Sequence, residues 1–451
     1  MATETIHLLH TNDVHSHLEN WPRIQRFLLD AQAAPTTHYT FDIGDAIDRL
    51  HPLTDATMGQ GNVALMNQVH YDGVTIGNNE GLVLPHEAMA TLYQDANFDV
   101  ILSNLKASPA GEQPSWAKPY KIMTTPAGTR VGVFALTAPY TLTYPMLGWY
   151  PQAVDETIQA LLPTLRAQAD VVVLLSHLGL PTDEKIGAKY PIDVVIGAHT
   201  HHLLPHGKIV NGTLLAAAGR YGNHVGDITL TLRNHQIVSQ QAQVTPTYEM
   251  AEADDDYDYS AVHGWLQTGQ SLLKQRIVTH LPRDISADEQ SYDALRALKA
   301  YFNVPIAMVS TGMFVDELPA GELSDYELLE SMPHAINPMV MTLSGDEISQ
   351  LVTTISDQQA ELATLPVKGS GFRGKVFGYM RFSGLDRDRH GQIWLDGHKL
   401  DPARQYQIAT LDHYKWVPFF PVIQQAPVTI AQDLLLRELM GQYYQTKYAH
   451  I

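Results

Sequence analysis

The chain of 451 residues contains no cysteine, so disulfide bonds and thiolate metal sites are both excluded. Basic residues are scarce: 29 lysines and arginines are outnumbered by 48 aspartates and glutamates, which gives a formal net charge of −19. This balance disfavours nucleic acid and anionic membrane surfaces as partners, because both repel a negative protein. If the ligand is itself anionic, bound divalent cations would have to reverse the local field.

Two kinds of apolar segment are also missing. No hydrophobic run is long enough to span a bilayer, and the first residues contain neither the basic nor the apolar region of a signal peptide. We therefore expect a cytoplasmic protein. Hydrophobic residues make up 45% of the chain, which is typical of a globular protein, and the length favours two domains.

Apolar β-type runs alternate with segments of helical periodicity through the first half of the chain. Helices are predicted near residues 21–34 and 155–169, and strands near residues 5–9, 37–43, 73–76, 98–102, 131–136, 171–175 and 194–196. This order predicts a largely parallel sheet with crossover helices. Pro246 and an acidic run after it mark a boundary. We therefore expect a first domain of residues 1–246, a helical linker of residues 247–280 and a second α/β domain of residues 281–451.

Polar side chains that can bind metal follow five of these strands directly. They are Asp13 with His15, Asp45, Asn78, His177, and His199 with His201. We expect them at one edge of the sheet, where open α/β sheets place their ligands. Oxygen and imidazole ligands without sulfur suit Mn²⁺, Fe²⁺, Zn²⁺ or Co²⁺. A single polar loop would be ordinary, but five of them in register predict a metal centre.

The same residues resemble a known family. The series Asp13-x-His15, Gly44-Asp45, Gly77-Asn78, Ser176-His177 and Gly197-x-His199-x-His201 is similar to that of the calcineurin-like metallophosphoesterases. The runs of residues 10–17 and 218–222 narrow the resemblance to the branch with 5′-nucleotidases, UDP-sugar hydrolases and 2′,3′-cyclic phosphodiesterases, and to a cytoplasmic bacterial subgroup of it. The resemblance implies a four-layer α/β/β/α sandwich followed by an α/β domain of the 5′-nucleotidase C-terminal type.

The resemblance also implies two divalent metal ions, which could be Mn, Zn, Fe, Co or Mg. By position, Asp45 would bridge them, with Asp13, His15 and His201 on the first ion and Asn78, His177 and His199 on the second. A water between the ions would attack the phosphorus of a small, nucleotide-like substrate at a phosphate ester or pyrophosphate bond. Asn12 and Arg220 would either position reacting groups or only join loops.

The sequence departs from the family pattern at residue 79. The family usually has a histidine there and an aspartate three residues later, and this pair protonates the leaving group. Here the two positions hold Asn79 and Leu82, so the proton donor is unassigned; His17, His202 or His224 could replace it, or could be ordinary surface histidines. The alternative function is a nucleotide-binding or sensing protein that keeps the metals and has lost the acid.

The second domain also departs from the family. The arginine and the glycine-rich signature with which the family binds substrate are missing from residues 309–315 and 411–417. Side chains that could serve instead are Phe372, Tyr414, Trp416 and Phe420 for stacking on a base, and Arg373 or Lys375 for an anionic group. Each aromatic ring could equally belong to the core. In the same domain, Ser324 and Glu327 predict a capping box at the start of a helix.

Overall fold

The computed structural model describes residues 3–253, 256–367, 369 and 371–449. The chain forms two compact units, Met1–Gly269 and Gln270–Ile451. Asp254 and Asp255, in the acidic run where the sequence predicts a linker, lie outside the described residues. Among the described residues, no helix is both long and apolar enough to cross a membrane.

The first unit is built from short and medium-length strands with helices between them. Its strands are β1 (Thr3–Thr11), β2 (Thr37–Asp42), β3 (Gly73–Val74), β4 (Leu105–Lys106), β5 (Tyr120–Thr124), β6 (Arg130–Thr137), β7 (Tyr150–Pro151), β8 (Val171–His177), β9 (Val194–Gly197), β10 (Lys208–Val210), β11 (Thr213–Ala216), β12 (His224–Arg233) and β13 (Gln236–Pro246). Its helices are α1 (Trp21–Ala33), α2 (Pro52–Thr57), α3 (Gln60–Met66), α4 (Asn78–Val83), α5 (His86–Thr91), α6 (Val154–Gln168), α7 (Leu180–Lys189) and α8 (Tyr257–Lys274), with 3₁₀ turns at Leu18–Asn20, Tyr144–Leu147 and Thr247–Glu249.

Two stacked sheets form the centre of this unit. The first has the strand order β13-β12-β1-β2-β3 and the second has the order β10-β11-β9-β8-β6-β5. β1, β2 and β3 are parallel to one another, as are β6, β8, β9 and β11, and antiparallel strands complete each sheet. The single parallel sheet predicted from the strand pattern is therefore wrong, because the parallel strands are divided between two mixed sheets.

Three apolar clusters separate four layers. Leu8 of β1 and Val173 of β8 belong to the cluster between the two sheets. Ile24 of α1 belongs to the cluster that covers the outer face of the first sheet, and Ile158 of α6 to the one that covers the outer face of the second. The α/β/β/α sandwich implied by the family resemblance is thus confirmed. A strand in it is buried on both faces, which explains its continuous apolar sequence.

The second unit is also α/β and has one main core. Its strands are β14 (Ile277–Leu281), β15 (Ile306–Ser310), β16 (Gly321–Ser324), β17 (Pro338–Ser344), β18 (Met380–Ser383), β19 (Leu385–Arg387), β20 (Ile393–Leu395), β21 (His398–Lys399), β22 (Gln405–Leu411) and β23 (Val428–Ile430). Its helices are α9 (Ala287–Phe302), α10 (Asp325–Ser331), α11 (Gly345–Leu362), α12 (His413–Trp416), α13 (Pro421–Gln425) and α14 (Leu436–Lys447), with a 3₁₀ turn at Thr311–Met313.

The central sheet of the second unit has the order β18-β15-β22-β17-β23. Two small sheets, β14-β16 and β19-β20-β21, belong to the same unit. The capping box predicted for α10 is present. Ser324 Oγ accepts a hydrogen bond from the backbone N–H of Tyr326, and Glu327 Oε2 accepts one from the backbone N–H of Ser324 at 2.9 Å. The helix therefore begins where the sequence predicts.

The N-terminal part of α8 packs on the first unit through a close backbone approach. A Cβ atom on Gly269 would lie 2.1 Å from the backbone nitrogen of Leu53, so only glycine fits there. Trp265 of the same helix packs against the outer cluster of the first sheet. Near the start of the helix, Asp258 forms an ion pair with Arg26 at 2.6 Å. These contacts join α8 as far as Gly269 to the first unit.

Alanine substitutions at two glycines of α8 are expected to change the stability of the protein in opposite directions. We expect Gly269→Ala to destabilise the protein by about 1 to 3 kcal/mol, because the new methyl group meets backbone that cannot move freely. Gly264→Ala is the matched control: nothing lies within 4 Å of its Cβ position, so the gain in helix propensity should stabilise the protein by up to about 1 kcal/mol. Thermal unfolding of both variants measures the difference, and equal stability of the two would contradict the packing of α8.

Candidate metal centre

The predicted metal-binding residues lie at or just after the C-terminal ends of β1, β2, β3, β8 and β9. These strands belong to different sheets, so the site lies where the ends of two sheets meet, and not at the edge of one. Two groups of side chains have ligand atoms that lie within 4.8 Å of one another: Asp13 with His15 and His201, and Asp13 with Asp45 and His177. Stacking of the sheets therefore brings together residues that are up to 188 positions apart, as in the pair Asp13 and His201.

The ligand atoms of the first group point toward one another. His15 Nε2 lies 3.2 Å from His201 Nε2 and 3.7 Å from Asp45 Oδ2. His201 Nε2 lies 3.5 Å from Asp13 Oδ1. Imidazole nitrogens and carboxylate oxygens at these separations can all reach a cation placed among them, since metal–ligand bonds are about 2.0–2.2 Å long.

Asp45 Oδ2 faces both groups. Besides His15 it approaches His177, whose Nε2 lies 3.5 Å away. The backbone fixes both side chains: His177 Nδ1 donates a hydrogen bond to the carbonyl of Ile43 at 2.7 Å, and Asp45 Oδ1 accepts one from the backbone N–H of Asn79 at 2.7 Å. The bond to Ile43 places a proton on Nδ1 and directs Nε2 at the centre, where it could bind a cation after losing its own proton.

Two buried side-chain atoms at this centre have no hydrogen-bond partner among the described residues. They are His177 Nε2 and Asn78 Oδ1, and both belong to the predicted second ion. An acceptor that is buried without a partner costs about 1–3 kcal/mol. A divalent cation would satisfy both atoms at once, so the residues present fit a metal ion with nitrogen and oxygen ligands.

The charges in this group are strongly coupled. Burial by itself lowers the pKa of His177, but the Asp45 carboxylate outweighs that effect and raises the pKa to about 10. Burial acts to raise the pKa of Asp45, and the charge of His177 holds it well below the usual range. Burial and the charge of His177 lower the pKa of His199 to about 4, which keeps that imidazole neutral. A cation that binds His177 has to displace a proton, so metal binding releases acid.

Most of the predicted ligands have a left-handed backbone, which residues other than glycine rarely adopt. The φ angles are 51° for Asp13, 50° for His15, 51° for Asp45, 74° for His199 and 58° for His201. Each such residue costs of order 1–3 kcal/mol, and the conformation persists only where the surroundings enforce it. Hydrogen bonds between the loops do so here: the backbone N–H of Asp13 donates to the Gly44 carbonyl at 3.0 Å, and that of His15 to the Asp45 carbonyl at 2.8 Å.

Glu80 holds the second and third loops together, a role that the sequence interpretation missed. Its buried carboxylate accepts hydrogen bonds from the backbone N–H groups of Asp45 (3.0 Å), Ala46 (2.8 Å), Ile47 (3.2 Å) and Gly77 (2.8 Å). Burial and the neighbouring Asp45 charge raise the pKa of Glu80 to about 7. Its position three residues after Gly77, at the start of α4, is the capping-box signal that could have identified it.

Asn12 both joins loops and orients a ligand, so the two alternatives from the sequence apply together. Its Nδ2 donates to Asp13 Oδ2 and to the Gly219 carbonyl, each at 2.8 Å. Its Oδ1 accepts a hydrogen bond from the backbone N–H of Ala218 at 3.1 Å. The loop after β11 is thereby attached to the loop after β1.

Arg220 is exposed and lies beside the first group. Its guanidinium is 4.5 Å from the ring centre of Tyr221, and its Nη1 is 3.3 Å from His201 Nδ1. Tyr221 in turn meets the His15 ring edge-on at 5.8 Å. A cation at this position can attract an anionic ligand toward the centre.

Asn79, at the position of the missing histidine, is buried and contacts a predicted ligand. Its Nδ2 donates to the Ile47 carbonyl at 2.8 Å and lies 2.9 Å from His15 Nδ1, while its Oδ1 accepts from Asn78 Nδ2 at 3.2 Å. The side chain is therefore engaged on all its polar atoms. Two of these partners, His15 and Asn78, are predicted ligands.

The three histidines considered as replacement acids do not contact a predicted ligand among the described residues. His17 bonds to Glu19 at 2.7 Å and stacks on Tyr221 at 4.0 Å. His202 is exposed and lies 2.8 Å from Thr200 Oγ1. His224 begins β12 and is half-buried. In contrast, Tyr140, which the sequence interpretation missed, has its hydroxyl 3.4 Å from His199 Nε2.

In the second unit, two of the candidate stacking residues are inside the core. Tyr414 and Phe420 are fully buried. The Tyr414 hydroxyl accepts a hydrogen bond from the backbone N–H of Ser310 at 2.6 Å and lies 3.1 Å from Ser310 Oγ. A ring enclosed in this way cannot stack on a base without rearrangement, so the structure favours the core alternative for both residues.

Phe372 belongs to the same core cluster as these two rings, so the structure favours the core alternative for it as well. Phe372 is buried between two imidazoles, with ring centres 4.8 Å from His334 and 5.4 Å from His413. Arg373 is half-buried, and its backbone N–H donates to His334 Nδ1 at 2.9 Å. Trp416 is 42% exposed. The role of Arg373 toward an anionic group stays a prediction.

The bonds made by Glu80 predict a structural effect that can be measured. Glu80→Gln replaces one carboxylate oxygen by an amide that cannot accept from the loop N–H groups, so we expect a loss of about 2 to 4 kcal/mol in the free energy of unfolding. Glu87→Gln, on the exposed face of α5, is the control and should change it by less than about 0.5 kcal/mol. Urea unfolding of both variants provides the measurement. Equal stability would mean that Glu80 does not hold the loops.

Comparisons with known proteins agree with this fold. Residues 6–203 match the calcineurin-like phosphoesterase family, and residues 283–415 match the 5′-nucleotidase C-terminal domain. The chain is 36% identical over 445 residues to the uncharacterized metallophosphoesterase YunD of Bacillus subtilis, and the alignment covers 94% of this chain and 95% of that relative.

Solved structures with the same architecture include two nucleotidases. The 5′-nucleotidase precursor of Thermus thermophilus superimposes with a TM-score of 0.62 at 20% identity, over 98% of this chain and 97% of its own. The NAD nucleotidase of Haemophilus influenzae gives 0.66 at 15% identity, over 99% and 97%. At these identities the likeness establishes the fold. The two family matches and the 36% identity to YunD over nearly the whole chain show that the chain belongs to the calcineurin-like metallophosphoesterases that carry a 5′-nucleotidase C-terminal domain.

Proposed function

We propose that this phosphoesterase hydrolyses phosphate ester or pyrophosphate bonds in small, nucleotide-like compounds at a centre of two divalent ions. The observation that carries the proposal is the position of Asp45, whose Oδ2 approaches His15 Nε2 on one side and His177 Nε2 on the other. A carboxylate oxygen between two imidazoles is the arrangement expected of a bridging ligand. When bound, the ions would lower the pKa of a shared water and neutralise charge on phosphoryl oxygens.

The residues that would hold the ions divide by group. Asp13, His15, His201 and Asp45 would hold the first, and Asp45, Asn78, His177 and His199 the second. Asn12 orients Asp13, the Ile43 carbonyl fixes the tautomer of His177, and Asn79 supports His15. Arg220, exposed beside His201, would draw an anionic substrate to the first group. Manganese is one of the metals that this oxygen and nitrogen donor set suits.

Nucleotide-like substrates are supported by the second unit, whose fold and family match are those of a 5′-nucleotidase C-terminal domain. The net charge of −19 makes local positive charge necessary for any phosphorylated ligand, which Arg220 and bound cations would supply. Arg373 and Lys375 would contribute in the second unit. The sensing alternative keeps the same predicted metal-binding side chains and differs in having lost the acid, so metal-supplemented hydrolysis of p-nitrophenyl phosphate esters and a nucleotide panel separates the two.

Replacing the bridging carboxylate tests the centre. Asp45→Asn removes one negative charge that both groups share, so we expect loss of at least one metal ion per chain and of essentially all turnover, with the fold retained. Asp95→Asn, an exposed position in the same unit, is the control and should keep full metal content and turnover. Metal analysis by ICP-MS, with hydrolysis of p-nitrophenyl phosphate and a nucleotide panel, provides the measurement. Full metal content and wild-type turnover in Asp45→Asn would rule out the assignment.

The engagement of Asn79 predicts how the rate depends on the leaving group. Without a general acid, which typically contributes about 10²- to 10⁴-fold, the leaving oxygen departs with its own charge. We expect kcat/KM to fall steeply with leaving-group pKa and pyrophosphate bonds to be cleaved better than monophosphate esters of sugar hydroxyls. A series that is flat in leaving-group pKa, with chemistry shown to be rate-limiting, would mean that another group supplies the proton.

A further inference from the structure

The phenol of Tyr140 lies at the metal centre. Tyr140 is in the turn that follows β6, the neighbour of β8 in the second sheet. Its hydroxyl is 3.4 Å from His199 Nε2, and its half-buried ring meets the His199 imidazole edge-on, with ring centres 6.2 Å apart. The hydroxyl is therefore one hydrogen-bond length from the atom with which His199 would hold an ion.

The backbone around Tyr140 is fixed by its own hydrogen bonds. The N–H of Tyr140 donates to the Ala138 carbonyl at 3.0 Å, and its carbonyl accepts from the N–H groups of Thr143 at 3.2 Å and Tyr144 at 3.1 Å. Tyr144 is fully buried and begins the 3₁₀ turn that follows. A hydroxyl held on such a turn is preorganised, so it loses little freedom when it binds a ligand.

Metal binding would change the partner of this hydroxyl. Among the described residues, the hydrogen-bond partner of the Tyr140 hydroxyl is His199 Nε2. When that nitrogen binds an ion, its lone pair is used, so the O–H needs another acceptor beside the same ion. A phenol keeps its proton at neutral pH, because the ordinary pKa of tyrosine is about 10.

We propose that Tyr140 is a catalytic residue whose O–H donates a hydrogen bond to a non-bridging phosphoryl oxygen at the second ion, the one held by Asn78, His177 and His199. The inference rests on the proposed function, because it places a phosphorylated ligand at this centre. Negative charge on that oxygen grows toward the transition state, so the hydrogen bond strengthens as the reaction proceeds. The phenol transfers no proton in this role.

Tyr140 and Arg220 lie beside different predicted ligands and differ in charge. Arg220 contributes a full positive charge beside His201, where it is exposed to solvent. Tyr140 contributes a neutral donor beside His199, where a second cation would repel the metal. Arg220 is exposed and Tyr140 is half-buried, whereas Asn12 and Asn79, which also contact predicted ligands, are buried.

The test compares Tyr140→Phe with Tyr144→Phe in the full-length protein loaded with Mn²⁺. Both changes remove one hydroxyl from the same turn and keep the ring, but only the first affects a group near a predicted ligand. We expect Tyr140→Phe to keep wild-type metal content and Tm, to lower kcat by about 10²-fold to the same extent for good and poor leaving groups, and to bind inorganic phosphate about threefold to tenfold more weakly. Tyr144→Phe should keep the wild-type kcat and the wild-type affinity for inorganic phosphate.

ICP-MS, a leaving-group series and calorimetric titration with inorganic phosphate supply the readouts. Wild-type kcat and phosphate affinity in Tyr140→Phe would overturn the inference. So would loss of metal, which would make Tyr140 a support for His199, and so would a loss confined to poor leaving groups, which would make it an acid. If the wild-type protein hydrolyses none of the substrates, the proposed function fails, and the phosphate titration still decides whether Tyr140 binds a phosphoryl group.

Discussion

The apolar layer between the two sheets of the first unit is the constraint on which the site depends. Leu8 of β1 and Val173 of β8 bury their side chains in this layer, together with their neighbours on each strand. Burial of one such side chain stabilises a fold by about 1.5–3 kcal/mol, so the sheets cannot slide past each other without losing many of these contacts. The strand ends, and the ligands that follow them, are thereby held in a fixed relation.

The centre that results carries more negative charge than the protein groups around it can neutralise. Asp13, Asp45 and Glu80 are buried within it, and the nearest exposed cation is Arg220. A carboxylate in such surroundings needs hydrogen bonds or a cation. Glu80 receives the former from four backbone N–H groups. Among the described residues, Asp45 accepts one such bond, from the backbone N–H of Asn79, and its other oxygen is directed at the imidazoles of His15 and His177. The distribution of donors therefore separates the carboxylate that shapes the loops from the one that faces the metals.

The sequence predicted the positions of α1, α6 and most strands of the first unit, and the convergence of the strand-end residues, because each follows from local periodicity and from the direction of a strand. The strand predicted at residues 98–102 is wrong, because that segment forms only isolated β-bridges at Val100 and Ile101. Periodicity alone did not predict the division into two sheets, which the family resemblance implied. A strand covered by helices on both faces and one covered by a helix and a second sheet have the same apolar sequence. Tyr414 and Phe420 show the same limit, since an aromatic side chain suits a core and a ligand site equally. Tyr140 was missed because β6 ends in Thr137-Ala138-Pro139, which carries no metal-binding side chain.

The left-handed backbone of the predicted ligand residues lowers the stability of the fold, while their side chains are the ones that would bind metal. Glycine would adopt the same φ angles without the steric penalty, but it would bring no carboxylate or imidazole. The strained loops thus lower the free energy of unfolding. Selection for stability alone would favour replacing these residues by glycine. A chain that drifted away from its chemistry would become easier to fold as it lost its ligands. The metal centre is therefore a feature that thermostability engineering of this scaffold would tend to erase unless activity were screened in parallel.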